Sequence, residues 1–219
     1  MDAKSSGFDI PDGVANGSRR ARGRPPLGPE HRERLIDSAI KLLDEKGSAG
    51  LQARLIAADA GISVGSLYKL IGDIDDVMRE VAVRSYQQVA EEILHAIDKS
   101  NATTPREKLM VACLGYLSFV DRHMNRWETV LSRVKYKYDL PEWFEGSIDS
   151  GFGLISDILR ELPGEPTEEE LLLHSYTIWA SVHGIATLAP ASYKGVLTLE
   201  AALDLLIDSV MAKLEAQGS

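Results

Sequence analysis

The chain has 219 residues, of which 44% are apolar and 26% charged, and its formal net charge is −9. This is an ordinary globular composition, long enough for one large domain or two small ones around a real core. The single cysteine, Cys113, excludes an intrachain disulfide and a cysteine-based metal cluster. The longest apolar run, Leu109 to Val120, is interrupted by Gly115 and Ser118 and falls well short of the ~20 residues of a bilayer span.

The N-terminus, MDAKSSGFDIPDG, has no apolar stretch of the kind that marks a secretory signal, so a cytoplasmic protein is expected. Residues 1–18 lack periodicity and read as disordered. A basic arm follows over 19–28, with Arg19, Arg20, Arg22 and Arg24 crowded ahead of Pro25 and Pro26. Between Ser18 and Arg34 six arginines face two glutamates, a balance of +4, whereas from Val81 onward 12 Lys/Arg face 20 Asp/Glu. An acidic body with a basic N-terminal end points to nucleic-acid contact made by that end.

Pro29 suits the first position of a helix in which Leu35, Ile36, Ala39, Ile40, Leu42 and Leu43 repeat at helical spacing, and Gly47 ends it. A second helix is predicted over about Leu51–Ala60 and a short third over Val64 to about Ile71. Asp73 and Asp76 are spaced as a capping box for a long fourth. The fourth is expected near 73–99, and further helices near 105–123, 126–135, 141–162, 167–189 and 199–216. Thr104, Pro105 and Glu107 mark one start, and Thr167 with Glu170 marks another. No segment joins β-branched enrichment to strict alternation. The expected fold is all-α with about nine helices.

The informative unit is LQARLIAADAGISVGSLYKLIGD, Leu51 to Asp73. A helix-turn-helix seats two short helices nearly perpendicular, which calls for a small residue at the approach (Ala57) and a residue tolerant of left-handed backbone (Gly61). It also calls for an apolar plug in the turn (Ile62) and a cap for the following helix (Ser63). Leu67 returns the third helix to the core, leaving Val64, Ser66 and Lys69 on other faces. Gly65 costs about 1 kcal/mol inside a helix, which suggests close approach of its backbone to another surface. The bland alternative is a helical hairpin whose glycines only make turns.

On these residues the chain resembles the tetracycline-repressor (TetR) family of bacterial transcription regulators over roughly residues 30–80. RLIDSAIKLLDEKG is similar to that family's first helix, and LIAADAGISVGSLYKLIGD to its second and third. The resemblance implies a head whose third helix enters the major groove and a fourth helix leading into a ligand domain. The chain departs from the family at Leu70, Ile71 and Ile74, the last standing where a phosphate-touching Lys is usual. The DNA-binding residues expected from the match are therefore Gln52, Arg54, Ser63, Val64, Gly65, Ser66, Tyr68 and Lys69. Val64 and Ser66 would read base edges, and Tyr68, Lys69 and Arg54 would hold phosphates. The four arm arginines join them, because RGRP at Arg22–Pro25 resembles an AT-hook core whose arginines enter a narrow minor groove.

The implied organisation is a head over 29–76 and a ligand-binding and dimerisation domain over 77–219. IWASVHGIATL is similar to a Trp-x-x-x-His-Gly element of one TetR subgroup, here Trp179, His183 and Gly184. Trp179 and His183 share a helical face. They either line an inducer pocket or form a buried Trp beside a satisfied core histidine, with Gly184 allowing close helix packing. Tyr86, Phe119, Trp127, Trp143, Phe144 and Phe152 are the other candidate pocket walls, and core filling is the alternative for each. The last two predicted helices are apolar on more than one side, and by resemblance they pair with their copies in a dimer.

The function these features imply is a regulator, in the repressor sense, partnered by operator DNA, by a second copy of itself and by an unidentified small-molecule inducer. No cofactor and no membrane partner are expected. The competing reading is a ligand-independent architectural DNA binder. The five histidines lack metal spacing, and no nucleophile elbow or phosphate-cradling glycine loop is present, so an enzyme is not expected.

Overall fold

The computed structural model describes residues 28–135, 153–192 and 198–217, and within them the chain is entirely helical. The helices are α1 (Pro29–Lys46), α2 (Ala53–Asp59), α3 (Val64–Leu70), α4 (Ile74–Lys99), α5 (Pro105–Lys135), α6 (153–160), α7 (Glu168–Ser192) and α8 (Leu199–Gln217). A 3₁₀ turn over Gly47–Gly50 links α1 to the approach to α2. Eight α-helices are thus described against the nine expected. The helices expected at 105–123 and 126–135 run together as α5 and meet at a kink at His123, where the backbone leaves helical geometry (φ −124°, ψ 26°). Of the helix expected over 141–162, only 153–160 lies within the described residues. No described helix is long and apolar enough to cross a membrane.

The start signals operate as the residue types require. Pro29 stands at the first position of α1. Asp73 and Asp76 close a reciprocal box, with Asp73 Oδ1 accepting from the Asp76 amide at 2.8 Å and Asp76 Oδ2 from the Asp73 amide at 2.9 Å. Thr104 with Glu107 and Thr167 with Glu170 do the same for α5 and α7. Gly47 leaves α1 at φ +56°. Gly50 is fixed by crowding, since a Cβ there would run into the Leu42 carbonyl.

Helices of seven residues such as α2 and α3 are marginal alone, so their stability comes from packing. α1, α2, α3 and the start of α4 bury Leu35, Ile36, Leu43, Ile56, Leu67 and Val77 completely or nearly so. Beyond Val81 the core continues between α4 and α5 through Val89, Leu109 and Phe119, where Gly115 lets α5 approach the Ile93 backbone. It ends in α7 and α8 with Ile178, Val182, Leu203 and Ile207. Cys113 is buried, and burial pushes its thiol up to about 12, so it is a packing residue rather than a reactive one.

Candidate nucleic-acid interface

The turn between α2 and α3 is built as the sequence implies. Gly61 takes φ +71°, Ile62 is buried beneath it, and Ala57 is buried where the two helices meet. Ser63 Oγ accepts from the Ser66 amide at 3.1 Å and lies 2.8 Å from the Ser66 hydroxyl. This satisfies one of the amides that a helix start leaves unpaired. Leu67 is fully buried, which turns Val64, Gly65, Tyr68 and Lys69 outward, with Tyr68 half-exposed. A Cβ on Gly65 would meet only Ser63 Oγ, at 3.9 Å. No close approach inside the described chain therefore accounts for this glycine, and its backbone is bare toward solvent.

Gln52 and Arg54 stand at the start of α2, the helix that packs against α3. Gln52 Nε2 donates to the Ala49 carbonyl at 2.8 Å, and Arg54 Nε to Gln52 Oε1 at 3.3 Å. Several head cations are already neutralised by carboxylates: Arg32 by Glu80, Lys41 by Asp59, Arg79 by Asp76, and Arg84 by Glu33 and Asp37. Arg54 and Lys69 are bound to no carboxylate among the described residues, so their charge remains available to an outside anion. The start of α4 differs: Ile74 offers no cation, and Asp73 and Asp76 occupy the amides that could have met a phosphate. Arg19, Arg20, Arg22 and Arg24 lie outside the described residues.

In the body, Tyr86, Phe119 and Trp127 come together as one aromatic cluster. Trp127 meets Tyr86 edge-on at 5.0 Å between centroids and Phe119 at 5.5 Å. Phe119 and Trp127 are fully enclosed and Tyr86 partly so, which makes the first two core residues. Trp127 Nε1 donates to Tyr116 Oη at 2.9 Å, and Tyr116 Oη lies 3.0 Å from His183 Nδ1. An indole N–H can only donate, so the phenol oxygen accepts from Trp127, while the direction of its bond with His183 is set by the tautomer of the ring. Burial raises the phenol pKa of Tyr116, opposed by hydrogen bonds from Trp127 and Trp179. His183 also stacks flat on Trp179 at 5.8 Å.

The histidine is thus a paired one, while Trp179 is half-buried instead of fully buried. Gly184 does not serve close packing within the described chain, because a Cβ there would meet nothing within 4 Å. Trp143, Phe144 and Phe152 lie outside the described residues. Tyr116 was missed in the sequence, although its spacing from Phe119, His123 and Trp127 places all four on one helical stripe.

A solvent-facing α3 capped by Ser63 and braced by a buried Leu67 defines a helix-turn-helix DNA-binding head carried on a helical body. Comparison with known proteins places that architecture. Residues 35–81 match the model described as bacterial regulatory proteins of the tetR family, and residues 109–213 the tetracyclin repressor-like C-terminal domain. The chain belongs to the TetR family of bacterial transcriptional regulators. It is 23% identical over 159 residues to the uncharacterized HTH-type transcriptional regulator Rv0681 of Mycobacterium tuberculosis, covering 72% of this chain and 69% of that one. A Rhodococcus protein of unknown function shares the fold at TM-score 0.70 and 19% identity, over 88% of this chain and 100% of that one. FadR of Bacillus subtilis, solved with stearoyl-CoA, matches at TM-score 0.58 and 19% identity over 85% and 98%.

Proposed function

We propose that the chain works as a homodimeric repressor whose hold on operator DNA is released by a small molecule bound in the body. The observation that carries the DNA half is the outward face of α3: exposed Val64 and Tyr68 beside a Gly65 with open space where a side chain would be. Val64 and Ser66 read base edges there, with the bare Gly65 backbone lying close against the groove. Arg54, Lys69 and Tyr68 hold phosphates, and Gln52 and Ser63 support them. Residues 29–76 form the head and 77–219 the ligand and dimer domain. The arm arginines grip the minor groove and supply charge that the start of α4 lacks.

Two features support the body's part. α7 and α8 leave Leu172, Leu173, Tyr176, Leu188 and Leu205 exposed, an apolar face suited to a second copy. Ring contacts of Tyr86 with Trp127 and of Tyr116 with His183 gather aromatic side chains of α4, α5 and α7, and an apolar ligand would bind among them; the FadR neighbour was solved with stearoyl-CoA. Ligand and DNA would then oppose each other by one coupling free energy, the same in both directions.

Selection of bound sequences from a random DNA pool tests the DNA half. Two inverted half-sites about one helical turn apart are expected. Exchange of Val64 and Ser66 should change the recovered bases, whereas Lys69→Ala should weaken all sites alike and flatten the salt dependence. Recovery of unrelated, asymmetric sequences would return the chain to a nonspecific architectural role.

A further inference from the structure

We propose that Asp44, seated between His123 and Arg126, fixes the orientation of the head on the body, and that its seat tightens when His123 is protonated. From the proposed function it takes only that the head is the part that meets DNA.

Asp44 stands in the last turn of α1, and all of it is held by the bend of α5. Its Oδ2 lies 3.1 Å from His123 Nδ1 and its Oδ1 lies 3.1 Å from Arg126 Nε. Its main-chain carbonyl accepts from Asn125 Nδ2 at 3.0 Å. An unbroken α-helix would put 123 and 126 about 300° apart around the axis, adjacent but splayed. The non-helical backbone at His123 re-aims the ring so that both groups face one carboxylate, which gives the bend a cause where there is no Pro or Gly.

Arg126 is the deeper partner, with 1% of its side chain exposed against 26% for Asp44. Its guanidinium sits 5.5 Å from the Phe119 ring centre, and Nη2 donates to Gln88 Oε1 of α4 at 3.0 Å. Burial lowers the guanidinium pKa, against the pull of Asp44 and Glu92. Its Nε is close to Asp44 Oδ1, yet neither atom has an aligned hydrogen bond. The contact is therefore a pairing of charges in a partly dry place, where removal of one partner is costly. A further ion pair among the described residues, Arg133 of α5 to Asp75 at 2.8 Å, is exposed on both sides and correspondingly weak.

His123 is faced by Asp44 from α1, by Gln88 from α4 at 3.5 Å and by Phe119 on its own helix, and it shares the Asp44 carboxylate with Arg126. Glu92, bound to Gln88 and Arg122, stands behind. A proton on His123 turns its contact with Asp44 into an ion pair, and a carboxylate with two cations is harder to withdraw than one with a single misaligned arginine. Imidazoles are the side chains that change charge between pH 5 and 8. Asp44 and His123 thus act as positioning residues for the head.

Hydrogen exchange of the full-length protein tests this, read as protection factors for peptides of α1 and its following turn (41–51) and, as the internal control, of α8. In the wild type the 41–51 protection should rise severalfold from pH 8 to pH 5.5. Asp44→Asn should lower it tenfold or more and remove the pH slope while α8 is unchanged. His123→Asn, which keeps a hydrogen-bonding side chain, should keep the pH 8 protection and lose only the slope. Wild-type protection in either variant with the slope intact would overturn the proposal. Equal loss in α8 and 41–51 for Asp44→Asn would show a merely structural residue, unless His123→Asn selectively abolishes the slope.

Discussion

The head and the outer face of the body differ in how completely each is finished by its own chain. In the head, four helical pieces close on Leu35, Ile36, Ile56 and Leu67, none more than 1% exposed. On α7 and α8 the inner residues Ile178, Val182, Leu203 and Ile207 are just as buried, but Leu173, Leu188 and Leu205 stand 60–70% exposed. The head closes its core with its own helices, whereas the body's last two helices carry a second apolar face that nothing in the described chain covers. Under the proposed function the difference matches two kinds of work, since a reader must present a fixed surface and a face meant for a second copy must stay open until that copy arrives.

The contrast would break most visibly at Leu67. Truncation to Ala in a fully buried site costs about 2–5 kcal/mol. That is a large part of what holds helices as short as α2 and α3, so DNA binding should be lost. Sedimentation should still show the same oligomer, because the damage lies in the part that closes on itself. Joint loss of the oligomer would mean that head and body fold as one unit, and the contrast would fail.

The complementary change is Leu205→Lys. Burying one leucine is worth about 1.5–3 kcal/mol, and in an interface related by a twofold axis every substitution occurs twice. Doubling that to about 3–6 kcal/mol predicts a dimer weaker by about two to four powers of ten, read as dissociation by sedimentation at micromolar concentration, with the helical circular dichroism of the chain retained. Unchanged association would place the interface elsewhere and leave the exposed leucines unexplained.

How much of this was legible in the sequence depends on how local the cause is. The caps at Asp73, Thr104 and Thr167 were legible because both partners lie within three residues of each other. The helix-turn-helix was legible because its turn dictates Gly61, Ile62 and Ser63 in order. The seat of Asp44 was not, because Asp44, Gln88, His123 and Arg126 come from three helices and only packing unites them. Arg126 beside Trp127 reads from sequence as a surface position, yet it is enclosed. The break at His123 was legible to within a few residues, whereas the Asp44 carboxylate that faces it was not, because that contact comes from another helix. Close packing at Gly184 was one of two readings, and among the described residues the space beside it is open.

The smallest effect belongs to the most legible feature. Glu107 accepts from the amides of Thr103 at 2.9 Å and Thr104 at 3.0 Å, and these bonds, Thr104's first, hold its carboxyl at about 2 against an ordinary 4.5. A carboxylate whose folded pKa is depressed adds stability that is present above the unfolded value and lost as pH falls through the folded one. The contribution of Glu107 is therefore in place above pH 4.5 and fades between 4.5 and about 2. Glu107→Gln keeps an acceptor but not the charge, so its urea midpoint should lie slightly below that of the wild type at neutral pH. The gap should close as the pH is lowered through that window. A gap of constant width would mean that the cap works by shape alone and that the charge at the start of α5 adds nothing.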